Sequence, residues 1–176
     1  MHNVVTNLLS IESELKIKIN NLNFINYNPT IVAVSKTFAM HDIIPLINHG
    51  HLHFGENKIQ EAIEKWTTIK NDFKHIKLHM IGKLQSNKVK YAVSLFDYIH
   101  SLDNLKLAEK ISKEQLKNKK KIKIFIQINI GNESQKNGIE LNQIENFYKK
   151  CTEELNLDIV GLMCLPPNDD KSSVYF

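Results

Sequence analysis

The sequence predicts an α/β fold: a (β/α) barrel on a parallel sheet, in one domain spanning residues 1–176. Three observations carry the prediction. Segments of helical period alternate with short β-branched runs, and the connections between them are short. No GxGxxG or Walker-type loop is present, which weighs against a doubly wound sheet. A chain of 176 residues is also long enough to bury a substantial core.

The elements follow in order. Val4, Leu8, Ile11, Leu15, Ile19 and Leu22 recur at spacings of three and four, which predicts an amphipathic opening helix. Pro29 closes it. The run Ile31-Val32-Ala33-Val34-Ser35 is the first strand, apolar on both faces as buried parallel strands are. A short helix over 42–48 carries Pro45 and ends at Gly50. The second strand is His51–Gly55, followed by a helix with Ile59, Ala62, Ile63, Trp66 and Ile69 on one face. Lys77–Gly82 is the third strand, and Ser86 is expected to cap a helix bearing Val89, Ala92, Val93 and Phe96. Asp97–Ser101 is the fourth strand and Leu105–Leu116 a helix. Ile122, Ile124, Ile126, Ile128 and Ile130 alternate strictly in the fifth strand. Leu141, Ile144, Tyr148 and Cys151 mark another helical face, and Leu157–Leu165 is the sixth strand. Ser172 or Ser173 then caps a helical start at Val174-Tyr175-Phe176. Six strands are fewer than the eight of a closed barrel, so the sequence reads as a barrel without its last strands.

Composition narrows the function classes. Apolar residues at 42% and charged residues at 24% are those of a folded globular protein. No apolar run approaches transmembrane length, and the start has no basic n-region or long apolar h-region. Two cysteines, Cys151 and Cys164, are too few for a disulfide scaffold and lack metal-ligand spacing; a reduced, cytoplasmic setting is expected. The net charge is +4, but every basic residue is lysine. Without arginine, nucleic-acid recognition is disfavoured. The dense run over 117–123 reads as a solvated helix end. His49, His51 and His53 have no acidic or cysteine companion at a recognisable spacing, so no metal is expected there.

Lys36 stands out because it ends an otherwise apolar strand. Barrel active sites lie at the C-terminal strand ends. A lysine beside apolar walls is expected to be desolvated, which favours the neutral amine that attacks an aldehyde to form a Schiff base. The alternative is a strand-end lysine whose head reaches solvent.

Five segments resemble the YggS/PROSC family of pyridoxal 5′-phosphate (PLP) homeostasis proteins. They are Ala33-Val34-Ser35-Lys36-Thr37; Phe54-Gly55-Glu56-Asn57 with Gln60-Glu61-Ala62; the run from His79 to Lys88, HMIGKLQSNK; Ser101-Leu102-Asp103 before Lys106-Leu107-Ala108; and Gly161-Leu162-Met163. The resemblance implies the fold of the alanine racemase N-terminal domain. It also implies a protein that holds PLP as a Schiff base and supplies it to PLP-dependent apoenzymes, without catalytic turnover. By that match Lys36 is the Schiff-base lysine, Asn57 lines the cofactor pocket, His79 lies near the ring, and Met163 forms a pocket wall. Each of the last two has a plainer reading: His79 as a core histidine satisfied by backbone, and Met163 as packing. Lys136 aligns with a loop lysine proposed to take part in cofactor transfer, or is a solvated loop lysine.

Family members continue into two further strands, a turn that holds the cofactor phosphate, and an arginine facing the ring nitrogen. The chain is therefore expected to be truncated, to bind PLP more weakly than a full-length relative, and to leave its first and sixth strands as open edges. Two other readings stay open. One is a remnant without cofactor; the other is a racemase-like enzyme, which would need a second catalytic base from a β-domain.

Overall fold

The computed structural model describes residues 3–24, 26–131 and 137–166. Lys136 and the predicted helix start at 172–176 lie outside them. Helix α1 (Asn3–Asn21) precedes strand β1 (Ala33–Val34). Then come α2 (Met40–Asn48), β2 (His53–Glu56), α3 (Ile59–Asp72), β3 (Lys77–Met80), α4 (Val89–Leu95) and β4 (Tyr98–Leu102). The described chain closes with α5 (Leu105–Asn118), β5 (Lys123–Ile128), α6 (Ile144–Lys149) and β6 (Asp158–Cys164).

The six strands form one sheet in the order β1-β2-β3-β4-β5-β6, and every neighbouring pair is parallel. A doubly wound sheet reverses its strand order at a switch point. A sheet in strict chain order is the barrel arrangement, as the sequence predicts.

Alternation decides which residues face the helices. On β5, Ile124 and Ile126 are fully buried and Ile128 nearly so. Phe54, Leu78, Met80 and Ile99 do the same on β2, β3 and β4. Against them pack Ala62 and Trp66 of α3, one turn apart, and Leu107, Ala108 and Ile111 of α5. Local signals set the helix ends. Gly50 takes φ +97° after α2, and the Asn104 side chain accepts from the Leu107 N–H at the start of α5. Backbone conformations of this kind favour glycine and asparagine caps respectively. Lys120, in the basic run, donates to the Ser94 and Phe96 carbonyls at 2.9 Å each, a structural use of a cation at a helix end.

Three local expectations are corrected. Ser86 is not a helix cap: it lies in a 3-10 turn over Ser86–Lys88, and neither that turn nor α4 has a side-chain cap. His51 precedes the second strand, which starts at His53. Tyr148 is 45% exposed while its neighbour Phe147 is buried: the inward face of the helix runs Ile144, Phe147, Cys151, at spacings of three and four. Ile144 is three residues from Phe147 and four from Tyr148, and either spacing suits one helical face.

Among the described residues β1 pairs only with β2, and β6 only with β5. Val34, Val160 and Leu162 are exposed at these edges.

The ends of β2 and β3 are pressed together just past the sheet. A Cβ placed on Gly82 would lie 2.3 Å from the Asn57 carbonyl oxygen and 2.8 Å from its Cα. Only a residue without a side chain allows this approach. Gly82→Ala is therefore expected to destabilise the fold by about 1–3 kcal/mol, as overpacking does, which urea unfolding would measure.

Candidate functional site

Lys36 sits at the C-terminal end of β1, at the tip of a tight turn. The Ser35 N–H donates to the Gly55 carbonyl at 2.9 Å, and the Phe38 N–H donates back to the Ser35 carbonyl at 3.2 Å. Lys36 and Thr37 are thus the two central residues of a four-residue turn. Thr37 has φ +67°, the left-handed region that turns of this shape require at their third residue. Lys36 is exposed, so the expected burial against apolar walls is not met. The strand ends one residue before Ser35, and the turn lifts the lysine clear of the sheet.

The turn rests on a buried ionic network. Glu56, the last residue of β2, is fully buried. Its Oε1 accepts from Ser35 Oγ at 2.7 Å and from Trp66 Nε1 at 2.9 Å, and pairs with Lys65 Nζ at 2.7 Å. Lys65 Nζ also donates to the Ser35 carbonyl at 2.8 Å and the Phe38 carbonyl at 3.2 Å. It pairs with Glu61 Oε1 at 2.9 Å, and that same oxygen accepts from the Thr37 N–H at 2.6 Å. Bonds to Lys65 and Thr37 hold the Glu61 carboxyl below the usual range. Glu61 and Lys65 lie one helical turn apart on α3, so a single helix face reaches the whole turn.

Asn57 follows β2 directly, next to the β1 end. Its Oδ1 is buried and has no hydrogen-bond partner among the described residues, and its Cβ lies against Gly82 past the end of β3. Met163, on β6, is partly buried and registers with Gln127 of β5. It shares the C-terminal end of the sheet with Lys36 but belongs to the opposite edge strand, and the structure does not bring the two together.

His79, on β3, is 4% exposed. It is satisfied by other imidazoles rather than by backbone. His53 Nδ1 lies 2.9 Å from His79 Nε2, and His79 Nδ1 lies 2.9 Å from His100 Nε2. The His79 ring stacks on Tyr98 with centroids 4.2 Å apart, and His100 stacks on Phe125 at 4.4 Å. These rings make a polar aromatic surface on the face of the sheet opposite Phe54 and Leu78. His51 stands apart from this chain, its Nε2 2.9 Å from the His53 carbonyl oxygen. Among the described residues no group of three or more His, Cys, Asp or Glu is placed to hold a metal.

The sequence singled out Lys36, Asn57, His79 and Met163. It missed Glu56, Glu61 and Lys65 beneath the turn, and His53 and His100 beside His79. One signal was available for Glu56: a carboxylate at a helix-facing position of an apolar strand requires buried partners.

The residues present fit the aldehyde and ring of PLP. An exposed amine stands at a strand end, Asn57 carries a buried acceptor without a partner among the described residues, and flat rings stack on one another across β3, β4 and β5.

The His chain is kept neutral. Burial lowers the His79 pKa to about 3, with the neighbouring His100 and His53 adding to the shift; burial lowers that of His100 to about 4. In the unfolded chain both titrate near 6.5. The unfolded state thus binds more protons below that value, and stability is lost as pH falls from about 6.5 towards 4. Thermal unfolding followed from pH 7 to pH 4 should show a falling Tm, with a shallower fall in His100→Phe.

Comparison with known proteins supplies a family context. The family model for the alanine racemase N-terminal domain matches residues 14–175. A pyridoxal phosphate homeostasis protein of Pasteurella multocida is 36% identical over 144 residues, covering 81% of this chain and 62% of that protein. One from Buchnera aphidicola is 33% identical over 171 residues, covering 97% and 74%. The solved structure of PipY from Synechococcus elongatus PCC7942 with PLP bound matches with a TM-score of 0.78 at 28% identity, covering 95% of this chain and 72% of that one. The chain spans less than two thirds of the length of the Pasteurella relative.

Proposed function

The chain belongs to the pyridoxal phosphate homeostasis branch of the alanine racemase N-terminal domain family, and from that premise we propose that it binds PLP at Lys36 and releases it to PLP-dependent apoenzymes. The observation that carries this reading is one exposed lysine on a firmly held turn at the C-terminal end of β1. Similarity to a structure described with PLP bound supports the cofactor's identity.

Each residue has a task in this reading. Lys36 would hold PLP through its amine, and the cofactor would supply the aldehyde carbon for that linkage. Asn57 Oδ1 takes a hydrogen bond from a donor in the pocket. The resemblance puts His79 near where the ring would lie, and the neutral imidazoles of its chain would add no charge there. The exposure of Lys36 suits transfer, because an acceptor can approach the linkage from solvent. We read the protein as a carrier in the cytoplasm, not as a racemase. A base that exchanges a substrate proton must be free to move it, and His79 has both ring nitrogens engaged by other histidines.

Incubation with PLP, borohydride reduction and peptide mapping should place the adduct on Lys36, and Lys36→Ala should abolish it. An adduct centred on the lysines of 117–123 would refute the assignment. Amino-acid racemisation with added PLP should not exceed that of free PLP. Turnover above it that disappears in Lys36→Ala would make the protein an enzyme.

A further inference from the structure

We propose that Glu61 and Lys65 are positioning residues that set the reactivity of Lys36 by holding Thr37 in a left-handed conformation. The proposal rests on the assignment of Lys36 as the cofactor lysine.

The argument starts from strain. Thr37 has φ +67°, and a β-branched residue in this region is an outlier. Its place in the turn is one that glycine normally fills. Such a conformation persists only where its surroundings over-determine it, and those surroundings are specific. The peptide unit joining Lys36 to Thr37 has its N–H taken by Glu61 Oε1 at 2.6 Å. The carbonyls of the first and last residues of the turn, Ser35 and Phe38, are both taken by Lys65. Lys65 is fixed in turn by the fully buried Glu56. The anchors grip the backbone on both sides of Lys36 and leave its side chain exposed. That is the pattern of a group held in place for something outside the protein.

If Glu61 were removed, the N–H of Thr37 would lose its acceptor. Thr37 would relax towards negative φ, the peptide plane next to Lys36 would rotate, and the amine would leave its position at the strand end. A glycine at position 37 would keep the positive φ without the steric cost. Replacing the threonine should therefore make the anchor dispensable. A merely structural role for Glu61 predicts no such rescue.

The experiment titrates PLP against the parent chain and the variants Lys36→Ala, Glu61→Ala, Glu61→Gln, Thr37→Gly and the double variant Thr37→Gly with Glu61→Ala. Formation of the adduct is followed by absorbance, and folding by circular dichroism and Tm. Glu61→Ala should weaken binding by about tenfold, the size of losing one hydrogen bond to a charged group. Glu61→Gln keeps the acceptor and should bind nearly as the parent does. The double variant should recover most of the affinity lost in Glu61→Ala. Should Glu61→Ala fail to fold, near-parental binding by both Glu61→Gln and the double variant still supports the proposal. A folded Glu61→Ala that binds as the parent does overturns it. So does a folded double variant with no recovery. A parent that forms no adduct at Lys36 overturns the assignment itself, and the proposal with it.

Discussion

A carboxylate removed entirely from water must be met by a cation and by donors, or the fold loses several kcal/mol. Glu56 is such a group, and its needs organise the C-terminal end of β1 and β2. The partner cation comes from α3, one donor comes from the same helix through Trp66, and another comes from Ser35 on the neighbouring strand end. Three elements are thus tied to one oxygen atom. The helix is oriented by that tie, so its preceding turn carries Glu61 to the Thr37 amide. The position of Lys36 is a consequence of where a buried charge at the end of the neighbouring strand finds its partners.

The opposite face of the sheet works by a different rule. There His53, His79 and His100 come from three successive strands, each two positions further along the register than the last: Gly55 is opposite His79, and His79 is opposite Tyr98. Their ring nitrogens satisfy one another, and stacking on Tyr98 and Phe125 covers their faces. Burial keeps them uncharged. A polar aromatic wall without charge is compatible with a flat heterocycle beside it. It is also compatible with the apolar packing behind the strands, since no counter-ion has to be buried with it.

Much of this was legible in the sequence. The six strands and the helices between them follow from periodicity, because each is a local pattern; β5 is the clearest, with isoleucine at every second position. Lys36 was legible for the same reason, as a charge closing an apolar run. The network beneath it was not. Glu56, Glu61 and Lys65 each read as ordinary charged residues, and only the packing of α3 across the ends of β1 and β2 shows that they share partners. The left-handed conformation of Thr37 was hidden as well, because threonine gives no local signal for it and the cause lies 24 residues away on α3. The error at Tyr148 is one of adjacency: Phe147 and Tyr148 are neighbouring aromatics three and four residues after Ile144, and spacing alone does not say which of them faces the core. For His79 the sequence left two readings, a place near the cofactor ring and a core histidine satisfied by backbone; its imidazole partners come from neighbouring strands and give no local signal.

Trp66 is the only tryptophan in the chain. Its ring is fully buried, stacks at a tilt against Phe54 with centroids 5.0 Å apart, and donates its N–H to Glu56. The protein therefore carries one intrinsic fluorophore, and it sits inside the network that supports the Lys36 turn. Its emission depends on the polarity around the indole and on the charge at Glu56. A change in how the turn is anchored would alter that emission with no label added, and a chromophore attached at Lys36 would be close enough to quench it by energy transfer.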